Sequence, residues 1–287
     1  MTDRAGPQAE TPVAKPQADP TGQEARAGTP GDAGHVEKSG RAGQVEMAGE
    51  IGAEVFDALR KVSTATVTTQ LFARGLRNTF LAGLRPLNPA HTRMVGEAFT
   101  LRHIPAREDL DVLSVFRDYD HPQRLAVESV GPGQVLVMDC RGQTRAASIG
   151  GILATRLLRR GAAGLVTDGA VRDSPYFAEL ELPAFAAGVC ATTNLARHHA
   201  VDLQVPIGCA EVPVYPGDII VADAEGVVCV PRHLAAQVAR DALEQERLED
   251  FIQAEVAAGA PLRGTYPPDE DTLRRYRDTL PGGEGAG

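Results

Sequence analysis

The stretch from Gly150 to Asp173, "GGILATRLLRRGAAGLVTDGAVRD", decides the fold. Its first half sets Ile152, Leu153, Leu157 and Leu158 on one helical face and closes on Gly161, a residue suited to a helix stop. Next, "AGLVTD" (163–168) is too short and too apolar for anything but a buried strand. Beyond Asp173, "SPYFAEL" (174–180) opens a second helix, with Ser174 as N-cap and Pro175 in the first turn. "LPAFAAG" (182–188) reads as another strand. Helix, strand, helix, strand makes an α/β layer.

A helix that runs away from Gly150 and a strand that runs back bring the strand's C-terminal end near the helix start. Gly150 and Gly151 leave backbone N–H groups free there and permit close approach, which prepares an anion site. Arg172 and Asp173 follow the strand, at the carboxyl ends of strands where open α/β sheets usually bind ligands. The amides and the guanidinium suit a ligand carboxylate, the guanidinium in bidentate fashion. The Asp173 carboxylate suits a divalent cation that keeps several waters, as magnesium does. The implied ligand is a small oxo-acid presented to a metal. The same two residues also allow a plainer reading, an ordinary ion pair at Arg172 and a helix cap at Asp173.

Outward from this stretch, the folded region is expected over residues 46–263. Residues 1–45 hold no Leu, Ile, Phe, Tyr or Trp, so they cannot bury enough apolar surface to offset their ordering entropy and are expected to be a disordered tail. Residues 264–287 form a polar C-terminal extension, partly disordered, ending in "PGGEGAG". "AEVFDALRKV" is helical through Val55, Leu59 and Val62, and "TATVTTQLFARGL" continues helically to a stop at Gly75. "GEAFTLRHI" (96–104) alternates as a strand, whereas "REDLDVLSVFRDY" (107–119) reads as a helix with Leu110, Leu113 and Phe116 on one face. "PGQVLVMD" (132–139) and "PGDIIVAD" (216–223) are alike: a Pro-Gly turn, a short apolar strand, an aspartate. "LAAQVARDALEQERLEDFIQAEVAAG" (234–259) is a long charged helix, expected on the outside or against a neighbouring subunit.

A formal charge of −9 argues against nucleic-acid binding, which needs clustered Lys and Arg. Cys140, Cys190, Cys209 and Cys229 show no zinc spacing, and each sits in an apolar run. With no apolar leader and no membrane span in the sequence, the protein is expected to be cytoplasmic, with no membrane partner. His198 and Asp202 have the spacing of a helical metal pair, although a polar face or a satisfied buried histidine explains them more simply. Asp168 suits a strand end beside the site, and Asp223 with Glu225 suits a hairpin turn. No dinucleotide-binding or P-loop pattern occurs.

The 150–173 segment resembles the signature of the RraA-like family, which includes 4-hydroxy-4-methyl-2-oxoglutarate/4-carboxy-4-hydroxy-2-oxoadipate aldolases and the ribonuclease E inhibitor RraA. "GEAFT", "PGQVLV" and "PGDIIVADAEGVVCVP" fit the same family's framing strands, so the resemblance covers about residues 55–235. It implies a layered β/β/α fold of the swivelling-domain type, assembled as a homotrimer or hexamer with the site at a subunit boundary. It further implies that Asp173 is the metal ligand (Mg2+ or Mn2+) and Arg172 the catalytic, substrate-contacting arginine. The amides of Gly150, Gly151, Ile152 and Leu153 would hold a pyruvyl carboxylate. The family's aldolases carry an acidic residue where this chain has Gly151. RraA-type members have glycine there too, but carry an acidic residue three positions after the Asp, where this chain has Tyr176. Glu179 lies one turn further on. The expected activity is therefore a metal-dependent carbon–carbon lyase on small 2-oxo acids, an aldolase or oxaloacetate decarboxylase. The rival is an acidic protein that binds and inhibits a ribonuclease.

Overall fold

A computed structural model of the protein describes residues 50–280; the expected tail over 1–45 and the closing "PGGEGAG" lie outside them. The described chain begins with α1 (Ala53–Leu59) and α2 (Thr64–Ala73), then β1 (Arg85–Pro86), β2 (Met94–Pro105) and a short 3-10 turn at Leu113–Arg117. It continues through α3 (Pro122–Ser129), β3 (Gln134–Asp139), β4 (Ala147–Ile149), α4 (Gly151–Arg159), β5 (Gly164–Val171), α5 (Ser174–Phe177) and β6 (Ala184–Val189). β7 (His198–Leu203), β8 (Ile207–Cys209), β9 (Val212–Val214), β10 (Ile219–Ala222) and β11 (Val227–Val230) follow. Three helices end the described chain: α6 (Ala235–Ala257), the kinked α7 (Leu262–Thr265) and α8 (Glu270–Thr279). No described helix is long and apolar enough to cross a membrane.

The main sheet has the order β1-β6-β5-β3-β2-β10-β11, with β4 beside β5 and β7 beside β2. β2, β3, β5 and β6 are parallel, and β1, β7, β10 and β11 run antiparallel to their neighbours. Every residue of β5 is buried, as expected of a strand covered on both faces. On one face, Leu136, Met138 and Leu165 meet Leu157 of α4 and Phe177 of α5. On the other, Val135, Val137, Val166 and Phe185 meet Ile207, Cys209, Val212 and Val214 of the small β8–β9 hairpin. At the β10–β11 end, Ile219, Val221 and Val228 are covered by α1, α2 and the first turns of α6. The expected mixed α/β layering is thus present.

Several local readings need correction. Residues 107–119 form no α-helix: only the 3-10 turn winds, and Leu113 is 76% exposed. Four acidic residues between Glu108 and Asp118 and the absence of a covering surface leave that apolar stripe nothing to pack against. Ser63 splits the expected continuous N-terminal helix by accepting a hydrogen bond from Thr66 N at 3.1 Å, a cap that starts α2 afresh. Ile152 does not join the buried face of α4; it is 86% exposed, and Gly151, Ala154 and Leu157 face inward instead. Within the polar C-terminal extension, residues 270–279 form α8, capped by Asp269, with Tyr276 buried against Phe251 and its hydroxyl donating to Glu244 at 3.2 Å.

Candidate active site at the start of α4

The end of β5 reaches the start of α4. Arg172 N donates to the Ile149 carbonyl at 3.0 Å, tying the end of β5 to the end of β4. Asp173 then turns the chain in the left-handed conformation (φ 60, ψ 37) and is the N-cap of α5; Ser174, expected there, is its first helical residue. Asp is one of the few residues with a side chain that tolerates this backbone. The turn carries the Asp173 carboxylate onto α4, where Oδ2 accepts from Gly151 N at 3.0 Å. Arg172 and Asp173 are each about half exposed, and Arg172 Nε stands 3.6 Å from Asp173 Oδ1. Asp173 is thus the N-cap of α5 by backbone position, while its side chain caps the start of α4.

Side chains approach both glycines closely. A Cβ at Gly150 would lie 2.8 Å from Asp173 Oδ2 and 2.9 Å from Arg172 Cγ. At Gly151 it would lie 2.9 Å from Cδ1 of Tyr176, whose ring covers the place where a side chain at 151 would project. Tyr176 and Thr155 hydroxyls are 2.9 Å apart, and Thr155 Oγ1 donates to the Gly151 carbonyl at 2.8 Å. Thr155 has a single hydroxyl proton, so Tyr176 is the donor to Thr155. The phenol oxygen faces the site only as an acceptor.

A cleft of about 500 Å³ opens between α4 and α3, lined by Gly150, Ile152, Leu153, Arg172 and Asp173 on one side and by Phe116, Gln123, Arg124 and Asn194 opposite. A smaller depression of about 310 Å³ is lined by Gly151, Ile152, Thr155, Asp173 and Tyr176, so Asp173 stands between the two. Glu179 lines neither. Thr155 could have been found from sequence, one turn after Gly151. Nothing in the pattern pointed to Gln123, Arg124 or Asn194, which arrive from α3 and a loop distant in sequence.

Asp168 lies inside β5, not at its end. It is buried and accepts from the backbone of Cys140, of Gly142 at 2.9 Å and of Ala210 at 3.3 Å, so it ties down two loops. Burial raises its carboxyl above the ordinary range despite those bonds. Burial likewise pushes the Cys140 thiol up to about 12, which leaves it protonated and inert. His198 and Asp202 form no metal pair, because β7 is a strand. His198 Nε2 bonds the Ala146 carbonyl at 3.1 Å, and Asp202 pairs with Arg102. Among the described residues, no three His, Cys, Asp or Glu come together as a metal cluster.

The RraA-like family model, described as Aldolase/RraA, matches residues 53–229, and the chain belongs to that family. The 4-hydroxy-4-methyl-2-oxoglutarate aldolase of Thermus thermophilus is 34% identical over 119 residues, 42% of this chain and 71% of that protein. Protein DlpA of Legionella pneumophila is 26% identical over 200 residues, 70% of this chain but only 31% of DlpA. Among solved structures, Streptomyces coelicolor RraAS2, described as an unusual member of the RNase ES inhibitor RraA family, superposes with a TM-score of 0.63. It is 30% identical, and the match covers 71% of this chain and 98% of that one. The fold is therefore that of RraA proteins, and the relatives' names include both an aldolase and ribonuclease inhibitors.

Proposed function

We propose that this protein is a cytoplasmic, divalent-metal-dependent lyase that releases pyruvate from small 2-oxo acids. The observation that carries this reading is the meeting of the α4 start, Arg172 and Asp173 in one open cleft. The residues fit a hard divalent cation. Among the described residues, Asp173 Oδ1 pairs only with its neighbour's guanidinium, while Oδ2 is oriented by Gly151 N, the kind of outer bond that steadies a ligating carboxylate. A single carboxylate suits magnesium or manganese, which takes its other ligands from water and substrate. When bound, the cation supplies a Lewis acid.

The chain's own groups do the rest. The amides of Ile152 and Leu153, in the first turn of α4, have no intrahelical partner and donate to the substrate carboxylate. Arg172 holds the 2-oxo oxygen and stabilises the negative charge that gathers there as the enolate of pyruvate forms. This reading needs no Schiff-base amine: among the described residues the sole lysine is Lys61, exposed after α1.

Retro-aldol cleavage also needs a base for the C4 hydroxyl proton, whereas decarboxylation of oxaloacetate does not. Among the described residues, no carboxylate other than Asp173 lines either cleft, and the Tyr176 hydroxyl spends its proton on Thr155. Decarboxylation should therefore exceed cleavage of 4-hydroxy-4-methyl-2-oxoglutarate, by about 10²–10⁴-fold in kcat/KM if proton transfer is the missing element. The test measures both reactions with and without EDTA. Faster aldol cleavage than decarboxylation would refute the bias. No EDTA-sensitive turnover of any 2-oxo acid, together with tight ribonuclease binding, would favour the inhibitor reading that the RraAS2 likeness supports. The exposed apolar residues Leu113, Tyr119 and Ile152 support assembly as a trimer or hexamer. A fully active monomer by light scattering would contradict that.

A further inference from the structure

The cleft that Asp173 lines carries a second cation on the side of α3. Arg124, in the first turn of α3, forms no ion pair with any described residue. Its Nη2 donates to the Phe116 carbonyl at 2.6 Å, and its guanidinium lies 5.9 Å from the Tyr119 ring centroid. The other polar side chains on this wall already have partners. Gln123 Nε2 donates to the Ser148 carbonyl, Asn194 Nδ2 to Gln123 Oε1 at 3.1 Å, and Thr193 Oγ1 to Asn194 Oδ1 at 3.1 Å. Ser148 Oγ donates to the Ala170 carbonyl at 3.0 Å. Those bonds brace the wall and leave Arg124 as its cationic donor facing the cleft.

Two guanidiniums and one carboxylate thus border one cleft, on a protein whose formal charge is −9. A monocarboxylate bound at the α4 start beside Arg172 leaves Arg124 without an anion. A dicarboxylate offers an anion to each guanidinium. We propose that Arg124 binds the distal carboxylate of the substrate and makes this site selective for 2-oxo diacids over 2-oxo monoacids. The assignment rests on the reading of Arg172, Asp173 and the α4 start as the site for the 2-oxo acid end. Arg124 is a specificity-determining residue; it takes no part in breaking the bond.

The test compares acids of equal chain length in the presence of magnesium chloride. Oxaloacetate is the diacid substrate and 2-oxobutyrate the monoacid inhibitor; 2-oxoglutarate and 2-oxopentanoate form a second pair for titration calorimetry. In Arg124→Gln, which keeps a donor for the Phe116 carbonyl, KM for oxaloacetate should rise about 10- to 100-fold, the size expected for a lost charge-assisted pair. The kcat should change far less, and the Ki of 2-oxobutyrate less than two-fold by the same reasoning. Arg124→Lys should recover part of the loss. Calorimetry should show the same discrimination between the longer acids, whether or not either is turned over. A wild type that binds diacid and monoacid equally, or variants that weaken both alike, overturns the assignment. Discrimination that depends on Arg124, in a protein that turns over no 2-oxo acid, keeps it and overturns the lyase reading instead.

Discussion

Two helices in this molecule start beneath an aspartate delivered by the end of a β-strand, and they differ in what the aspartate has left to do. At α2, Asp223 follows β10. Its Oδ2 accepts from Thr64 N at 2.7 Å, and its Oδ1 accepts from Thr64 Oγ1 at 2.8 Å and Glu225 N at 2.9 Å. Arg93 stands 3.8 Å away, and the side chain is only 17% exposed. At α4, Asp173 follows β5 with one amide on Oδ2, a loosely placed guanidinium near Oδ1 and a side chain 46% exposed. One carboxylate is fully committed to the fold; the other is oriented by it and left open to a cleft.

The sharpest way to break this contrast is to remove each carboxylate in turn. Asp173→Asn keeps the left-handed turn and the bond to Gly151 N but loses the charge. It should lower kcat/KM for oxaloacetate by about 10²–10³-fold, the scale of a lost metal site, with little change in melting temperature. Asp173→Ala adds about 1 kcal/mol of backbone strain to the same loss. Asp223→Ala should do the reverse, costing about 2–3 kcal/mol of stability while activity per folded molecule is retained. Chemical denaturation beside steady-state kinetics reads both. Equal effects on both quantities in either variant would dissolve the distinction.

Acid offers a second separation of fold from chemistry. Burial, and then the neighbouring His198, lower the His103 imidazole from 6.5 to about 3. Between those values the unfolded chain binds a proton that the folded chain does not, so His103 favours the fold above pH 6.5. That contribution falls as pH drops toward 3, by about 1.4 kcal/mol per pH unit. Asp168, raised by burial, acts in the opposite sense at the acid end. Denaturation series from pH 7 to pH 4 should show the slope in wild type and a flatter one, by about one proton, in His103→Gln. An unchanged slope would exclude His103 as its source.

The smallest effects probe the cover over α4. Tyr176→Phe removes one hydroxyl pair and should cost about 1 kcal/mol or less. Gly151→Asp alone must displace the Tyr176 ring, since its Cβ would sit 2.9 Å from Cδ1. The acidic side chain should therefore raise aldol cleavage only when combined with Tyr176→Ala. A gain in Gly151→Asp alone would show that the ring yields easily.

The order of helix and strand across 150–173 was enough to bring Arg172 and Asp173 to the start of α4, because topology alone fixes which ends meet. Orientation was less legible. The pattern that set Ile152 among the buried leucines treated α4 as covered along its length, yet its first turn borders the cleft and Ile152 faces outward. Ser174 looked like the better cap because Asp173 tolerates a left-handed turn without announcing one, and the turn itself is set by how the chain leaves β5. Arg124 and the braced amides behind it belong to contacts between segments far apart in the chain, which local periodicity does not encode.

The left-handed turn at Asp173 has a genetic corollary. At φ 60 the replacements that fit without strain are Asn and Gly, and each is one base change from either aspartate codon. Asn retains an acceptor for Gly151 N, so a single transition yields a chain that folds as before and loses the one carboxylate among the described residues of the cleft. On this scaffold, loss of the Asp173 charge with retention of shape is among the shortest mutational steps available.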